Sequence, residues 1–163
     1  MTVRAAKPAD LEFVRAVGGR VFSHFGDYGK IIPEWLEHDG VLTFVADAEG
    51  TRAGFTMLGF YRIDALPELS PSAPTGDYAA DLLAIAVAPE LEARGVGRRL
   101  LEHAIATARA ARKRLPVREL RLSVADTNER ALRMFQAAGF VEVSGEHGQY
   151  DGGQRALHMR KIL

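Results

Sequence analysis

The chain has no cysteine, which excludes disulfides, thiolate metal sites and a cysteinyl acyl-enzyme. Any group transfer is then direct or runs through another nucleophile. Net charge is also missing, because 21 basic and 21 acidic residues cancel, so no global field draws nucleic acid or an anionic membrane. No apolar run approaches the roughly 18 residues that span a bilayer, and the N-terminal Met1, Thr2, Val3, Arg4, Ala5 lacks the apolar centre of a signal peptide. A cytoplasmic protein without membrane or nucleic-acid partners is the expectation. The five histidines are scattered with no pair at ligand spacing, so no metal site is expected. A Gly-x-Ser-x-Gly elbow is absent too. At 163 residues the chain reads as one domain, residues 1–163, able to bury roughly 70% of its unfolded surface around a single core.

What is there centres on Pro89 to Leu101, PELEARGVGRRLL. An apolar run, Leu82 to Val87, precedes it as a buried strand, and helical periodicity follows. A Gly-x-Gly at that junction lets the backbone turn without Cβ obstruction, so the free N–H groups of a helix start converge on one point. The helix dipole and Arg94, Arg98 and Arg99 make that point suit an anion, with phosphate as the natural guest. A dinucleotide fingerprint fails on spacing, since Gly95 is well removed from Val87 and Leu100 stands where a third glycine belongs. A nucleoside-triphosphate loop fails as well: Arg98 and Arg99 follow Gly97, with no hydroxyl to hold magnesium. The structural alternative is a tight strand-to-helix turn and nothing more.

Here the segment resembles the GNAT superfamily of N-acetyltransferases. Their signature, Gln/Arg-x-x-Gly-x-Gly/Ala after a strand ending near Ile-Ala-Val, is met by Ile85, Ala86, Val87 and then Arg94, Gly95, Val96, Gly97, Arg98, with Glu92 at the Gln/Arg position. The resemblance is specific over about Asp81 to Phe140. It implies an α/β fold with a mixed sheet and acetyl-CoA as cosubstrate. The backbone of Ala93, Arg94, Gly95, Val96, Gly97 and Arg98 would hold the pyrophosphate, and the main chain of Ile85, Ala86 and Val87 the pantetheine arm. An acid beside a pyrophosphate weakens binding unless it turns away, so Glu92 departs from the pattern.

The remaining elements follow in order. Thr2 to Ala5 reads as a strand, and Asp10 as the cap of a helix with Leu11, Phe13, Val14, Val17 and Val21 on its apolar face. Phe22, Phe25, Tyr28 and Trp35 pack a second helix, Tyr28 to His38, on the sheet, and also suit the wall of an acceptor pocket. Val41 to Ala46 and Gly54 to Ile63 are strands joined by a hairpin. Pro67 to Gly76, rich in proline and serine, is expected to be an irregular loop. Tyr78 to Val87 is a strand covered on both faces. The helix after Gly97 buries Leu101, Ala104, Ile105 and Ala108, and ends in a cationic turn better read as a solvated helix end than as a nucleic-acid patch. Glu119 to Val124 is a strand. Asp126 and Glu129 stand three apart, as a capping box requires, before a helix burying Ala131, Met134, Phe135 and Ala138 and stopping at Gly139. Phe140 to Val143 and Arg155 to Ile162 form the last pair. The order β-α-α-β-β-β-α-β-α-β-β is that of the superfamily.

The chemistry to be done is set by an amine of pKa near 10.4, neutral in about one molecule in a few thousand at pH 7. A base must take its proton, and Asp81 is the acid of the Tyr78 to Val87 strand, expected on one face with Leu83, Ile85 and Val87. In the histone-acetylating branch a glutamate fourteen residues before the first signature glycine is the base, and counting back from Gly95 reaches Asp81, one methylene shorter. The alternative is a solvated residue at the strand mouth. Asn128 matches an asparagine that contacts the pantetheine arm, or simply caps a helix. Phe135 stands where the family often has a tyrosine that protonates the leaving thiolate. A phenyl ring has no proton to give, which leaves Tyr150 as the candidate acid. An acetyl-CoA-dependent N-acetyltransferase acting on a primary amine is the leading expectation. A catalytically weak acyl-CoA-binding domain is the alternative, and a homodimer built on an edge strand or the last hairpin is plausible.

Overall fold

The computed structural model describes residues 1–62, 78–143 and 148–163. Residues 67–76, expected to be an irregular loop, and Ile63, the expected end of the third strand, lie outside them.

Among the described residues seven strands and four helices follow in the order β1 (Thr2–Ala5), α1 (Leu11–Val21), α2 (Tyr28–Glu37), β2 (Val41–Ala48), β3 (Thr51–Arg62), β4 (Tyr78–Val87), α3 (Val96–Ala111), β5 (Glu119–Ala125), α4 (Glu129–Ala137), β6 (Val141–Glu142) and β7 (Ala156–Ile162). The sheet order is β1-β2-β3-β4-β5-β7-β6. Every pairing is antiparallel except β4 with β5, which a helical crossover permits and a hairpin does not. The expected mixed α/β architecture is the one observed.

Local sequence accounts for most of these elements. The β2–β3 hairpin tightens to a two-residue turn, because Glu49 and Gly50 both take positive φ, 52° and 79°, the geometry that matches strand twist. Two apolar layers sandwich the sheet. Val14, Val17 and Ile32 of α1 and α2 pack with Val45, Phe55, Met57, Ala84 and Ala86 on one side. On the other, Leu101, Ala104, Ile105 and Ala108 of α3 and Phe135 of α4 pack with Leu58, Ala80, Leu82, Leu120, Leu122 and Val124.

Three local expectations are corrected. Asp10 stands at the N-cap position of α1 but makes no side-chain capping bond; its buried carboxylate accepts instead from Arg4, Arg52 and the Lys7 amide. Asp126 does not cap α4, whose N-cap is Asn128, with Oδ1 accepting from the Ala131 amide at 3.2 Å. Of the four residues expected to be buried by α4, Phe135 alone is fully buried, while Ala131, Met134 and Ala138 are part-buried.

The largest departure is in β4. Cross-strand pairs run Met57↔Ala84 and then Leu58↔Leu82, so Leu83 is an extra residue with no partner, a β-bulge. A bulge reverses the faces beyond it. Ala80 and Leu82 face α3 and α4, whereas Ala84 and Ala86 face α1 and α2. Asp81 therefore does not share a face with Ile85 and Val87. It points to the α1–α2 side, away from the α3 core.

Candidate active site

The parallel ladder between β4 and β5 runs only through Ala80↔Leu120, Asp81↔Arg121 and Leu82↔Leu122. It stops at the bulge, although β4 continues to Val87 and β5 to Ala125. Past that point β4 keeps β3 on one side and loses β5 on the other. Alternate N–H and C=O groups of Leu83 to Val87 are thus left for a ligand. The gap is a cavity lined by Leu82 to Ile85, Leu122 to Ala125, Asn128, Phe135, and the aromatic side chains of Phe22, Phe25, Tyr28 and Tyr150.

β4 leads to the start of α3. Gly95 is the N-cap in left-handed conformation, φ 79°, and Ala93 is left-handed too, φ 64°. The helix begins at Val96, two residues before the expected start after Gly97, and no side chain caps it. The first intrahelical bond is from the Arg99 amide to the Gly95 carbonyl, 3.1 Å, so the N–H groups of Val96, Gly97 and Arg98 point out of the helix start. A Cβ at Gly97 would face Met134 Sδ at 3.4 Å and Val87 Cγ2 at 3.7 Å. The bare α-carbon thus looks into the passage between β4 and α4, where a larger side chain would obstruct it.

The acid in this loop is accounted for. Glu92 turns to α4 and pairs with Arg130 Nη1 at 2.5 Å, so its charge is met by a cation rather than aimed at the helix start. Arg94 and Arg98 are exposed, and Arg98 lines a groove between α3 and α4 together with Arg133 and Lys161. Arg99 faces away and pairs with Glu102.

At the acceptor end, two loops far apart in sequence close on each other. The Gly152 amide donates to the Phe25 carbonyl at 3.3 Å, the Gln154 side chain donates to the His24 carbonyl at 2.9 Å, and the Phe25 and Tyr150 rings lie 5.4 Å apart. This brings Tyr150 to the cavity. Burial, Tyr28 and then Asp81 push its phenol up to about 12, so it stays protonated and keeps a donor. Asp81 is part-buried, and desolvation pushes its carboxyl up to about 6 against the opposing pull of Arg121. A carboxylate titrating near neutrality can exchange a proton at pH 7. Asp81 does not itself line the cavity; its charge bears on Tyr150, which does.

Asn128 and Phe135 each carry two duties. Asn128 lines the cavity while its carbonyl oxygen caps α4, which leaves its NH2 for a ligand. Phe135 lines the cavity but is 3% exposed and packs edge-to-face on Phe140, centroids 5.8 Å apart. Sequence reasoning missed Tyr61, whose part-buried phenol is held above its usual range by desolvation and by Asp81. It also missed Glu119, buried among Arg121 and Arg160. Only the i, i+2 spacing of Gly59 and Tyr61 hinted at the first. Among the described residues no group of three or more His, Asp or Glu could hold a metal, and no helix is long and apolar enough to cross a membrane.

A sheet parted beside a left-handed glycine turn and an uncapped helix start offers unpaired backbone groups along β4 and free N–H donors at α3. The chain is a member of the acetyltransferase (GNAT) family, whose model matches residues 14–140. It is 29% identical over 158 residues to a mycothiol acetyltransferase of Propionibacterium freudenreichii subsp. shermanii, an alignment covering 91% of this chain and 45% of that protein. The chain thus spans a little under half of that relative. Among solved structures it is similar to a ribosomal-protein-alanine N-acetyltransferase of Brucella melitensis, with 26% identity, TM-score 0.72 and both chains fully covered. Arabidopsis thaliana NAA60 in complex with acetyl-CoA shares the fold at 16% identity and TM-score 0.73, covering 99% of this chain and 98% of the other.

Restoring the phenol that the family often carries on α4 has two distinguishable outcomes. If the para position of Phe135 opens on the gap, Phe135→Tyr speeds thiol release roughly tenfold when chemistry limits turnover. If the ring is pure core, the buried hydroxyl costs about 1 to 3 kcal/mol of stability with no gain in rate. Its place in the cavity wall makes the faster enzyme the expected result. Thiol release and melting temperature on the same sample decide it.

Proposed function

We propose that the protein passes acetyl from acetyl-CoA directly to a primary amine in a ternary complex. The observation that carries this reading is the parting of β4 and β5 at the Leu83 bulge, immediately upstream of the uncapped start of α3. The pyrophosphate sits on the N–H groups from Ala93 to Arg98, with Arg94 and Arg98 adding charge at the surface. The pantetheine arm runs along Ile85, Ala86 and Val87 as an added half-strand, with the Asn128 NH2 beside it. This places the thioester at the cavity. The amine approaches from the Phe25 and Tyr150 side, loses its proton to Asp81 through a water, and the departing sulfur meets the protonated Tyr150. Absence of cysteine supports direct transfer.

The test joins binding and turnover. Release of free thiol from acetyl-CoA is measured against amino acids, diamines and peptide N-termini, and coenzyme A affinity by calorimetry. Gly97→Val is expected to weaken coenzyme A more than tenfold by closing the passage to the helix start, with the melting temperature as the control for folding. Unchanged affinity places the phosphate elsewhere. Tight coenzyme A binding without thiol release to any amine supports the acyl-CoA-binding domain, a reading that the phenyl ring at 135 favours.

A further inference from the structure

We propose that Ser123 and His158 form a proton relay in the wall of the cavity, taking up the second proton that an ammonium acceptor must shed. This rests on the acetyl-transfer reading above and adds the group that completes its proton balance.

The pair is set by the register of β5 on β7. Ser123 and His158 are direct cross-strand partners, and Ser123 Oγ lies 2.9 Å from His158 Nδ1. Their neighbours fix the face. Leu122, Val124, Leu157 and Met159 pack into the core under α3 and α4, so by strand alternation Ser123 and His158 present to the opposite side of the sheet, that of Phe22 and Tyr28. Ser123 is also the first residue of β5 beyond the end of the β4–β5 ladder, which stops at Leu82↔Leu122. It is exposed and lines the cavity together with Phe22, Tyr28 and Tyr150, whereas His158 is half-buried and stands behind it. The charged neighbours are tied down. Two residues back on the same face, Arg121 stands opposite Arg160, and both pair with the buried Glu119 carboxylate, at 2.9 and 3.7 Å. The hydroxyl and imidazole are thus the next rung from this ion cluster toward the cavity.

An amine enters mostly as an ammonium, so one proton must leave before the C–N bond forms and another after it. Asp81, through water, accounts for the first in the reading above, and Tyr150 supplies the proton that sulfur gains. The second has no taker in that scheme. A serine hydroxyl can fill the role because it both accepts and donates. In the neutral imidazole with its own proton on Nε2, the serine hydrogen lies on Nδ1, and Oγ keeps its lone pairs for the cavity. Once the C–N bond has formed, the cationic nitrogen gives a proton to Oγ as the Oγ hydrogen moves to Nδ1. The C–S bond breaks with its electron pair on sulfur, which takes the Tyr150 proton. Asp81 then restores the phenol through water and the imidazolium releases its proton to solvent. Two protons leave nitrogen, one ends on sulfur and one in water.

The test uses 1,4-diaminobutane or a peptide starting with alanine, whichever the wild type turns over faster. Thiol release is followed in a single turnover, so that product release does not mask the step. Ser123→Ala removes the hydroxyl from an exposed position. It should slow that step about tenfold to a hundredfold, at or below the lower end of general acid–base contributions because water substitutes in part, with half-saturating amine and coenzyme A affinity within about twofold of wild type. Ser123→Thr keeps the hydroxyl and should retain about a third of the rate or more. His158→Gln leaves the hydroxyl a partner that takes no proton, and should lose as much as Ser123→Ala. His158→Ala should regain about fivefold or more on addition of free imidazole, which leaves the wild type and Ser123→Ala unchanged; a hydrogen bond that only holds β5 to β7 gives no such rescue. The Ser123 variants carry the test should those at His158 fold poorly. A wild-type rate in Ser123→Ala, or a loss confined to amine saturation, overturns the relay, as does a folded His158→Ala that ignores imidazole. No thiol release from the wild type with either amine, while coenzyme A still binds, overturns the acetyl-transfer reading and this inference with it.

Discussion

Asp81→Asn is expected to lower turnover at pH 7 by about 10² or more while leaving coenzyme A affinity within twofold, because it keeps the shape and removes the base. The pH dependence carries the distinguishing signature. With its carboxyl pushed up to about 6, the wild type should gain activity as pH rises through 6, where Asp81 ionises. The variant should lack that step and recover only as the amine deprotonates itself at alkaline pH. The same substitution should stabilise the fold at neutral pH. A carboxyl whose folded pKa lies above its unfolded value of 3.8 contributes stability below pH 4, and that contribution is lost as pH rises through 6. At pH 7 the wild type therefore carries an ionised, part-desolvated carboxylate at a cost of about 1 to 2 kcal/mol, after discounting for its contact with solvent. A slower and more heat-stable variant is the expected pair of results. Full activity at pH 7 would return Asp81 to a solvated strand residue.

Asp10→Asn should produce the largest loss of stability, about 2 to 3 kcal/mol, or roughly 4 to 12 °C in melting temperature for a chain of this size. The Asp10 carboxylate is 1% exposed and accepts from Arg4 Nη1 at 2.7 Å, Arg52 Nε at 2.6 Å and the Lys7 amide at 2.8 Å. It ties β1 and β3 to the start of α1. Asparagine leaves two guanidinium groups facing a neutral amide. The layer over Asp10 is thin, being the two arginines themselves at 31% and 42% exposure, so the loss falls below that for a deeply buried pair. Arg4 is the largest influence holding this carboxyl well below the usual range. Its contribution is therefore present above pH 4 and lost as pH falls below that. Urea unfolding at pH 7 and at pH 3 checks the sign: a wide gap between wild type and variant at pH 7 should narrow at pH 3. Equal stability at pH 7 would show the network to be surface decoration.

Both residues show how far residue order carries the reading. Counting back from Gly95 reaches Asp81 as a candidate base, a count that depends only on strand, turn and helix being consecutive. Its direction did not follow. Alternation along a strand presumes an unbroken ladder, whereas the bulge at Leu83 arises from how β4 pairs with β3, a relation between residues about 25 positions apart. Asp10 was read as a cap from the local pattern before an apolar helix, and the local pattern could not contain Arg52, which arrives from β3.

The linear sequence by itself determined the order of elements, the left-handed turn at Gly95, the uncapped helix start beyond it, and the lack of any thiol for a covalent intermediate. These depend on backbone freedom, apolar period and residue chemistry within a few positions. Tertiary structure alone decided which way Asp81 faces, that His158 meets Ser123 in the cavity wall, that Arg130 takes up the charge of Glu92, and that Tyr150 meets Phe25 at the cavity. Each of these is a contact between segments distant in the chain or a register between strands. No periodicity encodes such relations, because they come into being only when the sheet pairs and the two helical layers close on it.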